Sequence, residues 1–103
     1  MADRIDTIQQ LLEKDPSDVF LHYSLGMECV AADRLDEALA AFEACRRIDP
    51  AYVPAYVEAG KCARSAGQLE PAKTLFEQGL ELAELAGDAH VVDYLTQQLE
   101  SLG

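Results

Sequence analysis

Apolar residues recur along this chain at steps of three and four, broken at intervals by short polar stretches. Ile5, Ile8, Leu11 and Leu12 mark an amphipathic helix over residues 3–14. Leu21, Leu25, Cys29 and Ala32 share the next helical face, and Asp18 is placed to cap it. Asp33-Arg34-Leu35 is a polar break. Asp36 is then expected to cap a helix in which Leu39, Phe42, Cys45 and Arg46 follow helical spacing. Asp49-Pro50 ends that helix, because the residue before a proline is pushed out of helical geometry. The plan repeats, with Gly67 at the second break. Pro54 and Pro71 fall in first turns, where proline sacrifices no hydrogen bond. Glu84 stands where a proline would be due, so the fifth helix continues to Ala86-Gly87. Asp88 then caps a last helix, with Val91, Val92, Leu95, Leu99 and Leu102 on one face and a polar remainder. No stretch alternates as a strand does, so the pattern predicts an all-α chain of about six helices.

A single fixed shift lays the chain on itself. Val19 falls on Val53, Gly26 on Gly60, Ala32 on Ala66 and Leu35 on Leu69. Ala38 falls on Ala72, Phe42 on Phe76 and Glu43 on Glu77, making seven identities, and Asp15-Pro16 recurs as Asp49-Pro50. Unrelated sequence of ordinary composition would give about two such identities. The period divides one domain, 1–103, into an N-terminal capping helix (1–18), two complete units (19–52 and 53–86) and a C-terminal capping helix (87–103).

Length and charge narrow the function. The 103 residues, 50% apolar and 26% charged, suit one globular domain. Asp and Glu outnumber Lys and Arg by 19 to 8, a net charge of -11. That balance excludes nucleic acid, whose phosphates draw on cations, and anionic membrane surfaces. No apolar run reaches the ~18 residues of a membrane span, and the first residues lack the basic-then-apolar order of a secretory leader. Cys29, Cys45 and Cys62 are odd in number, lack metal or redox spacing, and lie within apolar patterns. They are expected to be buried, reduced thiols in a cytoplasmic protein. His22 and His90 lie far apart in different units, and no nucleophile motif, phosphate loop or metal cluster accompanies them. The expectation is a protein with no enzymatic activity, no cofactor and no bound metal.

The repeat resembles the tetratricopeptide repeat family, in particular small bacterial proteins of that family, which share the 34-residue helix–turn–helix period. Leu25-Gly26, Ala38, Phe42, Cys45 and Pro50 match its signature positions in the first unit. Tyr56, Ala59-Gly60, Ala72, Phe76 and Gly79 match them in the second. Gly26, Gly60, Ala38 and Ala72 are expected to let helices approach closely, with Phe42 and Phe76 filling the space. His22 departs from the large aromatic or aliphatic residue usual at its position, which predicts weaker packing there. The resemblance implies a right-handed superhelical α-solenoid, and a binding scaffold whose concave face, lined by the first helix of each unit, takes peptide segments of other proteins.

In that register the groove positions of the first unit include Phe20, Tyr23, Met27 and Val30, and those of the second include Val57, Lys61 and Arg64. The first set is apolar for a face in water, which points to a partner protein. The same residues would also serve contact with the N-terminal helix or with a second copy of the chain, giving a homodimer. Lys61 and Arg64 either receive a partner's carboxylate or pair internally, Lys61 with Glu58. The clamp with which chaperone co-factors of this family hold acidic tails is absent, since Tyr23, Met27 and Glu58 occupy positions corresponding to it. The acidity is weighted toward residues 66–103, where seven acids face Lys73 alone.

Overall fold

The computed structural model describes residues 3–103. Six helices follow one another: α1 (Arg4–Lys14), α2 (Val19–Ala31), α3 (Leu35–Ile48), α4 (Val53–Ser65), α5 (Leu69–Ala86) and α6 (Ala89–Leu102). No residue among those described lies in a strand. Each helix packs against its neighbours in the chain, and α2 also touches α4. Contacts this local give an elongated body, 43 × 28 × 19 Å, rather than a ball.

Glycine and phenylalanine set the spacing within each unit. A Cβ built on Gly26 would lie 2.6 Å from Phe42 Cζ, and one on Gly60 would lie 2.6 Å from Phe76 Cδ1. Only glycine lets the ring of the second helix lie on the backbone of the first. Phe42 and Phe76 are fully buried, each worth roughly 1.5–3 kcal/mol of burial. Phe42 also joins Ile5, Cys29 and Ala38 to Ala59 and Cys62 of the next unit, so its ring fills space between units as well as within one. Ala38 and Ala72 are fully buried beside the two rings. A second cluster joins Ala63, Ala72 and Phe76 to Leu95 of α6. The three thiols are unpaired and buried. Burial pushes that of Cys45 up to about 11, which leaves it protonated and inert at neutral pH.

The turns repeat as closely as the core. Asp33 N–H donates to Val30 O and Arg34 N–H to Cys29 O; Gly67 and Gln68 do the same to Arg64 and Ala63. These paired bonds satisfy the last carbonyls of α2 and α4 and need a left-handed residue. Gly67 supplies it at φ 77°, and Asp33 at φ 58° is the only described non-glycine with positive φ. Asp18 N–H donates to Asp15 O, and Tyr52 N–H to Asp49 O, in matching turns with proline second.

One expectation requires correction. Asp36 does not cap α3. The helix begins at Leu35 after Arg34 with no side-chain cap, and Asp36 sits inside the first turn, where its charge favours the dipole. His22 is half-buried where its counterpart Tyr56 is buried, but it makes a polar contact of its own. Its Nε2 lies 2.8 Å from Pro16 O, and Tyr56, one repeat later, donates its hydroxyl to Pro50 O at 2.7 Å. Each ring ties its helix to the preceding proline turn, so imidazole and phenol serve one structural purpose.

Candidate functional site

The first helices of the units, α2 and α4, stand beside α6 on one side of the molecule. Val57 of α4 and Val91 of α6 pack on the same cluster, and Arg64 donates to Gln98 Oε1 across the same pair. The two ends of this face differ sharply.

At the α2 end, aromatic rings gather. Asp18 Oδ1 accepts from Phe20 N (2.9 Å) and Leu21 N (3.2 Å), which starts the helix and fixes the first-turn ring of Phe20. Phe20 is 66% exposed, and its ring meets Tyr52 edge-on at 6.0 Å. Tyr23, one turn on, meets Tyr52 edge-on at 5.6 Å and Phe42 at 5.8 Å. Such pairs add about 0.5–1.5 kcal/mol each beyond their buried area. The rings therefore hold one another in place, while Phe20 remains open to a visitor. Met27 lies one further turn along, 37% exposed. A cleft of about 550 Å³ opens beside it between α1 and α2, lined by Arg4, Thr7, Ile8, Tyr23, Ser24, Met27 and Glu28. Arg4 Nε crosses this region to Glu28 Oε1 at 2.9 Å.

At the α4 end two cations stand beside an apolar hollow that Val53, Pro54 and Val57 form with Val91 of α6. Lys61 Nζ lies 3.4 Å from the carboxylate of Glu58, its neighbour one turn back. Arg64 is engaged by Gln98. Both cations thus have partners within the chain. Glu58 also bears on the aromatic end. Burial raises the Tyr23 phenol above its usual pKa, and the Glu58 charge adds to the shift. Tyr52 is raised by burial as well, with Cys45 and Asp49 adding to it. Both phenols stay neutral donors at physiological pH.

Of the residues singled out from the sequence, Phe20 and Met27 are exposed and Tyr23 between them is half-buried; Tyr23 and Met27 line the α1–α2 cleft, while Phe20 stands against Tyr52. Val30 is half-buried and packs on the first core cluster, and Val57 is half-buried on the second. Lys61 and Arg64 lie on the neighbouring helix, apart from the rings. Four contributors were not foreseen. Tyr52 occupies the position that Asp18 fills one unit earlier, so an aromatic where a cap is due was the available signal. Gln98 belonged to a helix read as a solvated end. Ile8 and Arg4, read only as parts of a capping helix, form the wall of the cleft.

A stack of antiparallel helix pairs with small-on-large contacts at a fixed period defines an α-solenoid repeat protein. Comparison with known proteins carries this further. The sequence pattern of the tetratricopeptide repeat matches residues 30–90. The TPR repeat-containing protein PA0015 of Pseudomonas aeruginosa is 29% identical over 98 residues, covering 95% of this chain and 93% of that protein. The solution structure of BPP2914 from Bordetella parapertussis superposes with a TM-score of 0.84 at 27% identity, over 99% of this chain and 89% of that one. PcrH, solved in complex with the chaperone-binding region of PopD, shares the fold at a TM-score of 0.90 and 19% identity, over 95% of this chain and 74% of that one. The chain belongs to the tetratricopeptide repeat family. Among the described residues, no helix is long and apolar enough to cross a membrane.

Proposed function

We propose that this protein is a non-enzymatic interaction module that holds a peptide or helical segment of another protein on the α2–α4–α6 face, the concave side of the superhelix. The observation that carries the reading is the exposure of Phe20 and Met27 on α2, with half-buried Tyr23 between them and the α1–α2 cleft beside Met27. Large exposed apolar groups in water mark partner surfaces, and aromatic anchors with adaptable methionine suit them. Tyr52 supports it further: α4 forgoes a side-chain cap worth about 1 kcal/mol and presents a ring to the patch instead. Val30, Val57, Lys61 and Arg64 form the remaining floor and far edge of the groove. PcrH, a protein of this fold, is found in complex with a segment of PopD. The three unpaired thiols fit a reducing compartment, and we place the protein in the cytoplasm.

The test is affinity capture from the native cell extract with Met27→Glu protein as the control. The variant should retain its helicity by circular dichroism and lose the captured partner. Capture that survives the substitution overturns the groove assignment. Self-association through the same patch is the competing reading, because two copies of Phe20 would cover each other. Light scattering over a concentration series decides it: a dimer lost on Tyr23→Glu favours self-association, and a monomer throughout removes it.

A further inference from the structure

We infer that the segment seated on the aromatic end of the groove is a basic, amphipathic stretch of another protein, placing a large apolar side chain on Phe20 and Met27. The inference rests on the groove reading above and adds the charge of the occupant.

Three described cations border the groove, and each is already engaged within the chain. Lys61 lies against Glu58, Arg64 against Gln98 and Arg4 against Glu28. A visiting carboxylate would have to displace Glu58 from Lys61 or Glu28 from Arg4; Arg64, held by the neutral amide of Gln98, keeps its charge at the far edge. Acids stand around the rings, while Arg46 of α3 lies over the Tyr56 ring. Phe20 projects from the turn that ends in Asp18, and Tyr52 from the turn that begins with Asp49. Both carboxylates accept backbone N–H groups of their own turns, so they stay in place. Asp18 Oδ1 serves α2, and Asp49 Oδ1 takes Ala51 N at 3.1 Å. Glu58 acts on Tyr23 from α4, but its charge is shared with Lys61. The field of the whole molecule has the same sign, with 19 acids against 8 cations. Such a field speeds the encounter with a cationic segment and slows that with an anionic one. A lysine or arginine beside the apolar anchor would find acids at the rim and the exposed face of Phe20 for a cation–π contact. A second copy of this chain is the poorer occupant, because it brings another -11 and opposes the same acids to one another.

The test is selection from a displayed random peptide library, with wild-type protein as bait and Phe20→Ser protein for counter-selection. That substitution leaves charge unchanged and removes a side chain that is 66% exposed, so the fold survives it. The sequences retained should pair a Phe, Leu or Met with two or more Lys or Arg. A synthetic peptide of the winning sequence should bind about tenfold or more tighter than its Lys→Glu counterpart, and the difference should shrink at high salt. Enrichment of neutral or acidic sequences that still depends on Phe20 overturns the charge inference and leaves the groove reading standing. Enrichment that ignores Phe20, or none at all, overturns both. Basic peptides bound equally by wild type and Phe20→Ser would reveal mere surface attraction to an acidic protein, which also defeats the inference.

Discussion

The two complete units, α2–α3 and α4–α5, share their core and differ on their groove side. Gly26 under Phe42 is repeated as Gly60 under Phe76, and Ala38 as Ala72. The tether from a ring to the proline carbonyl recurs with a different ring. On the groove side the correspondence ends: Phe20 faces Pro54 across the period, Met27 faces Lys61, and Val30 faces Arg64. Packing tolerates little change where a methyl group would strike a phenyl ring. Solvent-facing positions carry no such constraint. The divergence therefore falls where packing leaves residues free to differ, and the aromatic end is where the exposed rings gather.

The comparison can be broken in several places. The largest effect is expected in the shared core. Phe42→Ala and Phe76→Ala should each cost about 3–5 kcal/mol in urea denaturation. Costs that differ widely would show that the units are not energetically alike. Exchange of groove residues comes next. Met27→Lys, which imports the second unit's residue, should weaken partner capture by about tenfold or more, as loss of an anchor does, while Lys61→Met should not. Equal effects would remove the asymmetry between the ends. Tyr52→Asp imports the first unit's cap. Its gain of about 1 kcal/mol should be offset by the lost ring contacts with Phe20 and Tyr23, so stability stays near wild type while capture falls. The tethers follow. Tyr56→Phe and His22→Phe should each cost about 0.5–1.5 kcal/mol, and a negligible cost at His22 would mean that only the phenol anchors its turn. The smallest effect lies at the helix ends. Asp33→Gly should raise stability by a few tenths of a kcal/mol, whereas Gly67→Ala should lower it by about 1 kcal/mol, the left-handed conformation suiting only glycine well.

The helices and their spacing were legible because they follow from local rules. Periodic apolar residues, prolines in first turns and glycines at breaks each act within a few positions. The glycine–phenylalanine pairs were legible because two copies stand one period apart, Gly26 with Phe42 and Gly60 with Phe76. The start of α3 was misread, since an acid in the first turn and an acid at the cap look alike in sequence. The tether of His22 was hidden by its chemistry: an imidazole and a phenol share little except reach and a donor. In the groove, Phe20, Tyr23 and Met27 follow from the register of the family that the repeat resembles, as apolar residues on a face meant for water. The position of Tyr52 depends on a turn meeting the start of another helix, and the engagement of Arg64 on the approach of α6. Both are tertiary events that no local pattern announces.

The longer α5 bears on any attempt to extend this protein. Helices α2 and α4 begin one period apart, at Val19 and Val53. Another period would start α6 at Gly87, but Gly87 reverses the chain and α6 starts two positions later, at Ala89. Two positions are more than half a helical turn, about 200° of rotation. Counting by the period would set Leu95 in the place of exposed Lys61, whereas Leu95 is completely buried and packs on Gly79, in the phase of Ala59. The two added positions thus rotate α6 out of the phase that the preceding units keep. A further repeat spliced after Leu102 would inherit that rotation and turn the wrong face inward. One spliced at the end of the second unit, before the two added positions, would continue the original screw.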